Sequence, residues 1–137
     1  MATTNFRIPF NIFQDLIEHA SSNVSEEVCG LLAGKANRVV KLIRVENSLH
    51  SPIRYRMDSK QELHAILSIE DEGLDLLAIY HTHPNGPGTL SETDLRENNF
   101  PSVLQLLVHQ KDGIWQVNAY TANGMDQQNV NIEILNK

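Results

Sequence analysis

Apolar residues recur along the chain with two different periods, which separates the predicted helices from the predicted strands. They follow helical spacing in residues 9–20 and again in residues 58–73, so we predict an amphipathic helix in each segment. Asp58 is a suitable N-cap for the second of these helices, with Gln61 three residues further on. A third, shorter helix is predicted from Ser91 to about residue 99, because Pro101 disfavours its continuation.

Short runs rich in Val, Ile and Leu predict the strands. Residues 74–80 are almost uninterrupted apolar positions, which is typical of a central strand covered on both faces. Residues 53–57 are predicted as a short edge strand, and residues 130–134 as the last strand. The other predicted strands are residues 28–33, 38–45, 103–109 and 115–121. This order of elements predicts the α/β class, with a single mixed sheet flanked by helices in one domain that spans residues 1–137.

Two histidines at the end of the predicted central strand carry the most distinctive chemistry of the sequence. Side chains of a strand alternate between faces, so His81 and His83 project to the same side and can reach one ion. A loop rich in Pro and Gly follows, and beyond it Ser91 and Asp94 lie three residues apart in the first turn of the predicted helix. Two histidines and one aspartate would make three ligands of a catalytic zinc, which keeps its fourth position for water.

The pair Ser91 and Asp94 has a second interpretation, because Ser-x-x-Asp before a helix is also a capping signature that only satisfies backbone N–H groups. Taken alone, the pair would be read as structural. The whole pattern, His-x-His-x7-Ser-x-x-Asp, would arise by chance in about one sequence in a thousand of this composition. The metal-site hypothesis therefore rests on the complete pattern.

A hydrolytic zinc site also needs a carboxylate that can accept and return a proton. Glu27, at the start of an apolar strand, is the best candidate, but on pattern alone a solvated charge beside Glu26 is an equal alternative. Cys29 lies within the same strand, where a lone cysteine is more often a small buried residue than a nucleophile. The histidines without a partner at ligand spacing are predicted to be ordinary surface or packed residues: His19, His50, His64 and His109.

Composition narrows the classes of protein. A chain of 137 residues is the usual size of one domain. A net charge of −6, with 11 Lys+Arg and no basic cluster, argues against a nucleic-acid partner. No stretch is apolar over about 18 residues, and residues 1–7 lack the features of a signal peptide, so we expect a cytoplasmic protein without a membrane segment.

Glutamate followed by His-x-His-x7-Ser-x-x-Asp resembles the hallmark of the JAMM (MPN+) zinc metallopeptidases. Residues 27–34, Glu-Val-Cys-Gly-Leu-Leu-Ala-Gly, are similar to that family's Glu-x-x-Gly-Leu-Leu-x-Gly, and residues 55–58, Tyr-Arg-Met-Asp, resemble its compact prokaryotic, Mec-like branch. The resemblance implies a JAMM/MPN fold related to that of cytidine deaminases. It also implies site roles: zinc ligands His81, His83 and Asp94, an oxyanion donor Ser91, and a general acid/base Glu27. Thr82, where Ser is common, is a mild departure.

The resemblance further implies a zinc-dependent peptidase that hydrolyses an amide or isopeptide bond at the C-terminal Gly-Gly tail of a ubiquitin-like or sulfur-carrier protein. The tail is expected to lie along the exposed edge of a strand, with small residues near the loop of residues 86–88. Two alternatives stay open, a hydrolase of small peptide or amino-acid conjugates and a non-catalytic MPN-type binding scaffold. A branch linked to DNA processing, the RadC-like proteins, is disfavoured by the acidic charge balance. A homodimer is left open.

Overall fold

The fold is given by a computed structural model, which describes residues 5–136. Eight strands form one mixed sheet in the order β7-β6-β5-β4-β2-β3-β1-β8. The strands are β1 Phe6–Pro9, β2 Cys29–Lys35, β3 Arg38–Val45, β4 Asp75–His83, β5 Leu104–Lys111, β6 Ile114–Asn123, β7 Asp126–Val130 and β8 Ile132–Leu135. The helices are α1 Phe10–Ser22, α2 Ser59–Asp71 and α3 Glu92–Arg96. The prediction of a mixed sheet flanked by helices is confirmed.

Strand β4 lies near the middle of the sheet, between antiparallel β2 and parallel β5. Its alternate side chains enter two different cores. Tyr80 packs on the side of α1, whereas Ile79 packs on the side of α2. Because the alternation continues along the strand, His81 and His83 lie on the α2 side with Ile79. The sheet thus presents both histidines on one face at its centre.

The strands of the structure differ from the predicted strands in three places. Strand β1 was not predicted, because its four residues, Phe6–Pro9, are too short to show a period. The predicted edge strand at residues 53–57 is wrong: only Met57 forms a bridge, with Asn47, and the side chain of Asn47 bonds to the main chain of the remaining segment. The predicted last strand is two strands, separated by Asn131.

Strands β7 and β8 stand at the two ends of the strand order although a single residue separates them in sequence. The sheet therefore curls around α1, and one extended segment pairs with β6 in its first half and with β1 in its second. Within residues 5–136, no helix is long and apolar enough to cross a membrane.

Candidate metal centre

The two histidines of β4 approach each other through the same ring atom. The Nε2 atoms of His81 and His83 are 3.3 Å apart, and both side chains are buried. Register fixes their neighbours, because His81 is paired with Cys29 of β2 and His83 with His109 of β5. The intervening Thr82 is also buried, and its Oγ1 accepts a hydrogen bond of 2.8 Å from the N–H of Val28. A serine hydroxyl could accept the same bond, which explains why threonine is tolerated here.

Asp94 caps α3 and also faces the two histidines. At the start of α3, Asp94 N–H donates to Ser91 Oγ at 3.0 Å, and Ser91 N–H donates to Asp94 Oδ2 at 2.9 Å, which completes a capping box. The same Oδ2 atom is 3.1 Å from the Nε2 atoms of His81 and His83. Capping and convergence on the histidines are therefore compatible.

Glu27 is buried at the same centre, with only 2% of its surface exposed, so the alternative of a solvated charge is wrong. Its Oε2 is 3.8 Å from His83 Nε2, and its Oε1 has no hydrogen-bonding partner within the described part of the chain. Its main chain is fixed on both sides, because the N–H donates to Ser51 O and the carbonyl accepts from Asn47 Nδ2. Burial raises the pKa of Glu27 to about 8, while His83 acts to lower it and Asp94 to raise it.

The second ring nitrogen of His83 shows which tautomer of that ring is available. Nδ1 of His83 is 2.9 Å from Pro87 O, and because a carbonyl only accepts, Nδ1 carries the proton. A neutral His83 then directs the lone pair of Nε2 toward Asp94. Burial lowers the pKa of His81 although its contact with Asp94 opposes the shift. Burial also acts to lower the pKa of His83, but hydrogen bonds with Asp94 and Pro87 outweigh it and raise that pKa.

Asp94 is held as a carboxylate. Burial acts to raise its pKa, but hydrogen bonds with His81 and His83 hold that pKa far below its usual range. The Nε2 atoms of His81 and His83 and the Oδ2 atom of Asp94 lie 3.1–3.3 Å from one another. When both rings carry their proton on Nδ1, three lone pairs face one another, and a cation at their centre would stabilise that arrangement.

The donor set fits a metal ion. One ligand atom from each of Glu27, His81, His83 and Asp94 lies within 4.8 Å of all the others. For tetrahedral zinc with bonds of about 2.0–2.1 Å, neighbouring ligand atoms are about 3.3 Å apart. The two nitrogens and the Asp94 oxygen match this separation, whereas Glu27 lies farther out.

The remaining reactive residues lie outside this cluster. Cys29 is fully buried, and burial raises the pKa of its thiol to about 12, which agrees with a packing role. His19 is hydrogen-bonded to the hydroxyl of Tyr80 on the opposite side of the sheet. His109 is buried beside the site, where its Nε2 is 2.9 Å from the amide of Asn118.

Sequence reasoning missed the residues that support the site. Tyr55 stacks on His81, with ring centroids 4.4 Å apart and an interplanar angle of 21°. Tyr120 Oη and Asn118 Nδ2 both donate to Gly88 O, which anchors the loop that presents Pro87 to His83. Only Tyr55 belonged to a recognisable motif. The other two lie on β6, and nothing in their local sequence indicates a contact with residue 88.

A cleft leads from Asp94 along the segment that carries Tyr55. It is lined by Arg54, Tyr55, Arg56, Met57, Glu62, Ile79, Asp94, Glu97, Asn98, Asn99, Phe100 and Gln105. Strand β4 itself has no free edge, since β2 and β5 pair with it on either side. The expectation that a substrate tail pairs with a free strand edge beside the histidines therefore does not hold for β4.

Comparison with known proteins agrees with this geometry. Residues 9–122 match the family model described as prokaryotic homologs of the JAB domain. A desampylase of Pyrococcus furiosus is 36% identical over 104 residues, which cover 76% of this chain and 74% of that protein. A probable TtuB-protein conjugate cleaving protease of Thermus thermophilus is 36% identical over 91 residues, 66% of this chain and 61% of that protein. A CysO-cysteine peptidase of Mycobacterium tuberculosis is 31% identical over 99 residues, 71% of this chain and 68% of that protein.

Solved structures share the fold. A solution structure of a protein from Desulfitobacterium hafniense superposes with a TM-score of 0.85 at 21% identity, covering 96% of this chain and 93% of that one. The crystal structure of a JAB1/MPN domain protein from Archaeoglobus fulgidus gives a TM-score of 0.61 at 17% identity, covering 96% and 99%. With the family model spanning most of the chain and the Glu, His, His and Asp side chains gathered at one point, this protein belongs to the family of prokaryotic homologs of the JAB domain.

Proposed function

We propose that this protein is a zinc-dependent metallopeptidase that hydrolyses an amide or isopeptide bond at the C-terminal Gly-Gly tail of a ubiquitin-like or sulfur-carrier protein. The observation that carries the proposal is the convergence of Glu27, His81, His83 and Asp94 in a buried cluster. The names of the relatives support the substrate class, because they describe proteins that act on such conjugates. A non-catalytic scaffold would not need this complete set of side chains.

His81, His83 and Asp94 would hold the zinc. When bound, zinc would supply a Lewis acid for the scissile carbonyl and lower the pKa of a water molecule to about 7. The protein contributes neutral imidazoles and one carboxylate in a buried position. Their separations of 3.1–3.3 Å mean that little rearrangement is needed to receive the ion.

Glu27 would transfer the protons. Its Oε1 has no partner among residues 5–136 and is therefore free to accept a proton from the attacking water. The same carboxyl group would then return that proton to the nitrogen of the leaving amine. Burial raises its pKa to about 8, and a cation held by the three ligands would act to lower that pKa, so that the carboxylate needed for the first step is available.

Ser91 would stabilise the negative charge that develops on the carbonyl oxygen. Its Oγ accepts the N–H of Asp94, and a hydroxyl that accepts one bond still has its own proton to donate. The capping box holds this hydroxyl beside Asp94 before substrate arrives. A donor fixed in advance costs little reorganisation during the reaction.

The cleft offers a path for the substrate tail. Arg54 O and Arg56 N bond to the side chain of Asn47, so the main-chain groups of Tyr55 lie on the opposite side of this extended segment. Neither main-chain group of Tyr55 has a hydrogen-bonding partner within residues 5–136. An extended tail can pair with them regardless of its sequence, and small residues such as Gly-Gly fit best next to a main chain.

The test uses a sulfur-carrier protein whose chain continues beyond Gly-Gly by one amino acid, with cleavage followed by intact mass. We expect hydrolysis that a chelator abolishes and zinc restores. Glu27→Gln should retain zinc and fold but lose about 10²–10⁴-fold in turnover, because an amide cannot accept the proton. Replacing the penultimate glycine of the carrier with valine should sharply reduce cleavage.

Three outcomes would contradict the proposal. Wild-type protein without about one equivalent of zinc would remove the metal centre. Normal turnover by Glu27→Gln would place the base elsewhere. Efficient cleavage of short peptides that lack the carrier domain would favour a hydrolase of small conjugates.

A further inference from the structure

The two histidines of the candidate metal centre are held in different ways. Nδ1 of His83 donates to Pro87 O, the kind of bond that usually fixes the ring of a metal-binding histidine. Nδ1 of His81 is buried and has no hydrogen-bonding partner within residues 5–136. The orientation of the His81 imidazole is therefore not set through Nδ1, and its polar contact is with Asp94 through Nε2.

The ring of Tyr55 supplies a second contact. It lies against the His81 imidazole at a centroid distance of 4.4 Å and is tilted from it by only 21°. The His83 ring meets the same imidazole edge-on, at 5.0 Å and 71°. His81 is 0% exposed, so its ring has no freedom to turn away from these two neighbours. If the imidazole of His81 turned about its Cβ–Cγ bond, it would collide with the face of the Tyr55 ring.

Tyr55 is itself held by one buried amide. Asn47 is 2% exposed, and its Nδ2 donates to Arg54 O at 3.1 Å while its Oδ1 accepts from Arg56 N at 3.0 Å. These bonds fix the main chain on both sides of Tyr55. The second proton of Nδ2 is donated to Glu27 O at 2.9 Å, so the same amide ties this segment to the proposed acid/base residue.

We propose that Tyr55 is a positioning residue for His81, whose imidazole it fixes by stacking in place of the missing hydrogen bond at Nδ1. The aromatic face carries this role, and the Tyr55 hydroxyl does not. The inference rests on the metal centre of the proposed function and is independent of the substrate. A ring that is held in its ligand orientation binds zinc more tightly, since less freedom is lost when the ion arrives.

The experiment measures zinc affinity of the apoproteins by competition with a chromophoric chelator. Tyr55→Leu and Tyr55→Met remove the aromatic face and should weaken zinc binding about 10–100-fold, as expected when a group that orients a ligand is lost. Tyr55→Phe keeps the face and should stay within about threefold of wild type. Phe100→Leu is the matched control, because Phe100 lines the same cleft but is not part of the stack on His81.

The midpoint of thermal unfolding of each apoprotein shows whether the variant is folded. If Tyr55→Leu does not fold, the longer side chain of Tyr55→Met fills the site and serves for the measurement. If the folded Leu or Met variant binds zinc as tightly as the wild type, this inference is overturned but the proposed function is not. A Tyr55→Phe variant that loses as much affinity as Tyr55→Leu would also overturn it, because the hydroxyl would then be responsible. A wild-type protein that binds no zinc would overturn this inference and the proposed function together.

Discussion

Asp94→Asn separates the cap that Asp94 forms at the start of α3 from its proposed role as a zinc ligand. An asparagine oxygen can still accept the N–H of Ser91, now 2.9 Å from Asp94 Oδ2, so the cap is retained. The negative charge that faces His81 and His83 at 3.1 Å is lost. If Asp94 only caps the helix, zinc binding should not change.

The size of the effect follows from linkage. Loss of a ligand should weaken zinc binding at least about 100-fold, because loss of an outer partner alone costs 10–100-fold. With free zinc at about 100 times the wild-type Kd, binding stabilises the wild type by about 2.7 kcal/mol and the variant by only about 0.4 kcal/mol. For a chain of 137 residues this corresponds to a zinc-induced rise in Tm of about 10 °C for the wild type and about 2 °C for Asp94→Asn.

The assay is thermal unfolding with zinc and with excess chelator, followed by circular dichroism. Ser91→Ala is the control, because it removes the Oγ acceptor of the cap and should cost about 1 kcal/mol in the apoprotein while leaving the zinc-induced rise in place. An Asp94→Asn protein that shows the wild-type rise would refute the reasoning and reduce Asp94 to a capping residue.

Three further predictions concern groups around the site. Gly30→Ala should destabilise the fold by about 3 kcal/mol or more, measured by urea unfolding, because the added Cβ would meet the ring of Tyr80 and a backbone carbonyl. Cys29 should resist alkylation at pH 8 until the protein is unfolded, since burial raises the pKa of its thiol to about 12. Burial, with a smaller effect of Arg44, lowers the pKa of His19 to about 4, so its unfolded form binds a proton that the native form does not between about pH 6.5 and 4. The free energy of unfolding should therefore decrease as the pH is lowered from about 6.5 to about 4, by about 1–2 kcal/mol after discounting for the partial exposure of His19. His19→Gln should make this dependence on pH less steep.

Each of these has a result that would contradict it. Gly124→Asn is the control for Gly30, because Gly124 lies at a turn with positive φ and open space, where asparagine is tolerated. If Gly30→Ala costs no more than this control, the close contact with Tyr80 is not limiting. Rapid labelling of native Cys29, or equal pH slopes in wild type and His19→Gln, would show that those groups are less shielded than their burial indicates.

The parts of the site that the sequence predicts are those set by local geometry. Alternation along β4 places His81 and His83 on one face whatever the rest of the chain does. The three-residue spacing of Ser91 and Asp94 likewise requires only one turn of helix, and the cap forms as expected. Spacing could not decide whether Glu27 is buried, because that depends on Asn47 and on the loop that covers it.

Elements whose identity depends on distant partners were harder to predict. The main chain of residues 54–57 pairs with the side-chain amide of Asn47 and with the main chain of Asn47 and Ser48, and no period of apolar residues reveals such a partner. Val130, Ile132 and Ile134 alternate as one strand would, and all three pack against the α1 core. The change of pairing partner at Asn131 is set by the curvature of the whole sheet, so the local pattern is the same on both sides.

The direction of the strands on either side of β4 explains how residues far apart in sequence meet. Parallel strands require a crossover, and the connection from β4 to β5 contains α3, so its return to the sheet brings Asp94 over the end of β4. On the other side, antiparallel pairing of Cys29 with His81 sets Glu27 opposite His83 when the register is continued by two residues, and their side chains are 3.8 Å apart. The connection to β5 thus contributes the proposed ligand Asp94, and the segment that leads into β2 contributes the proposed base Glu27. A slip of β2 by a single residue would turn Glu27 to the α1 face, so the register of this pair of strands is a condition for the chemistry and not only for the fold.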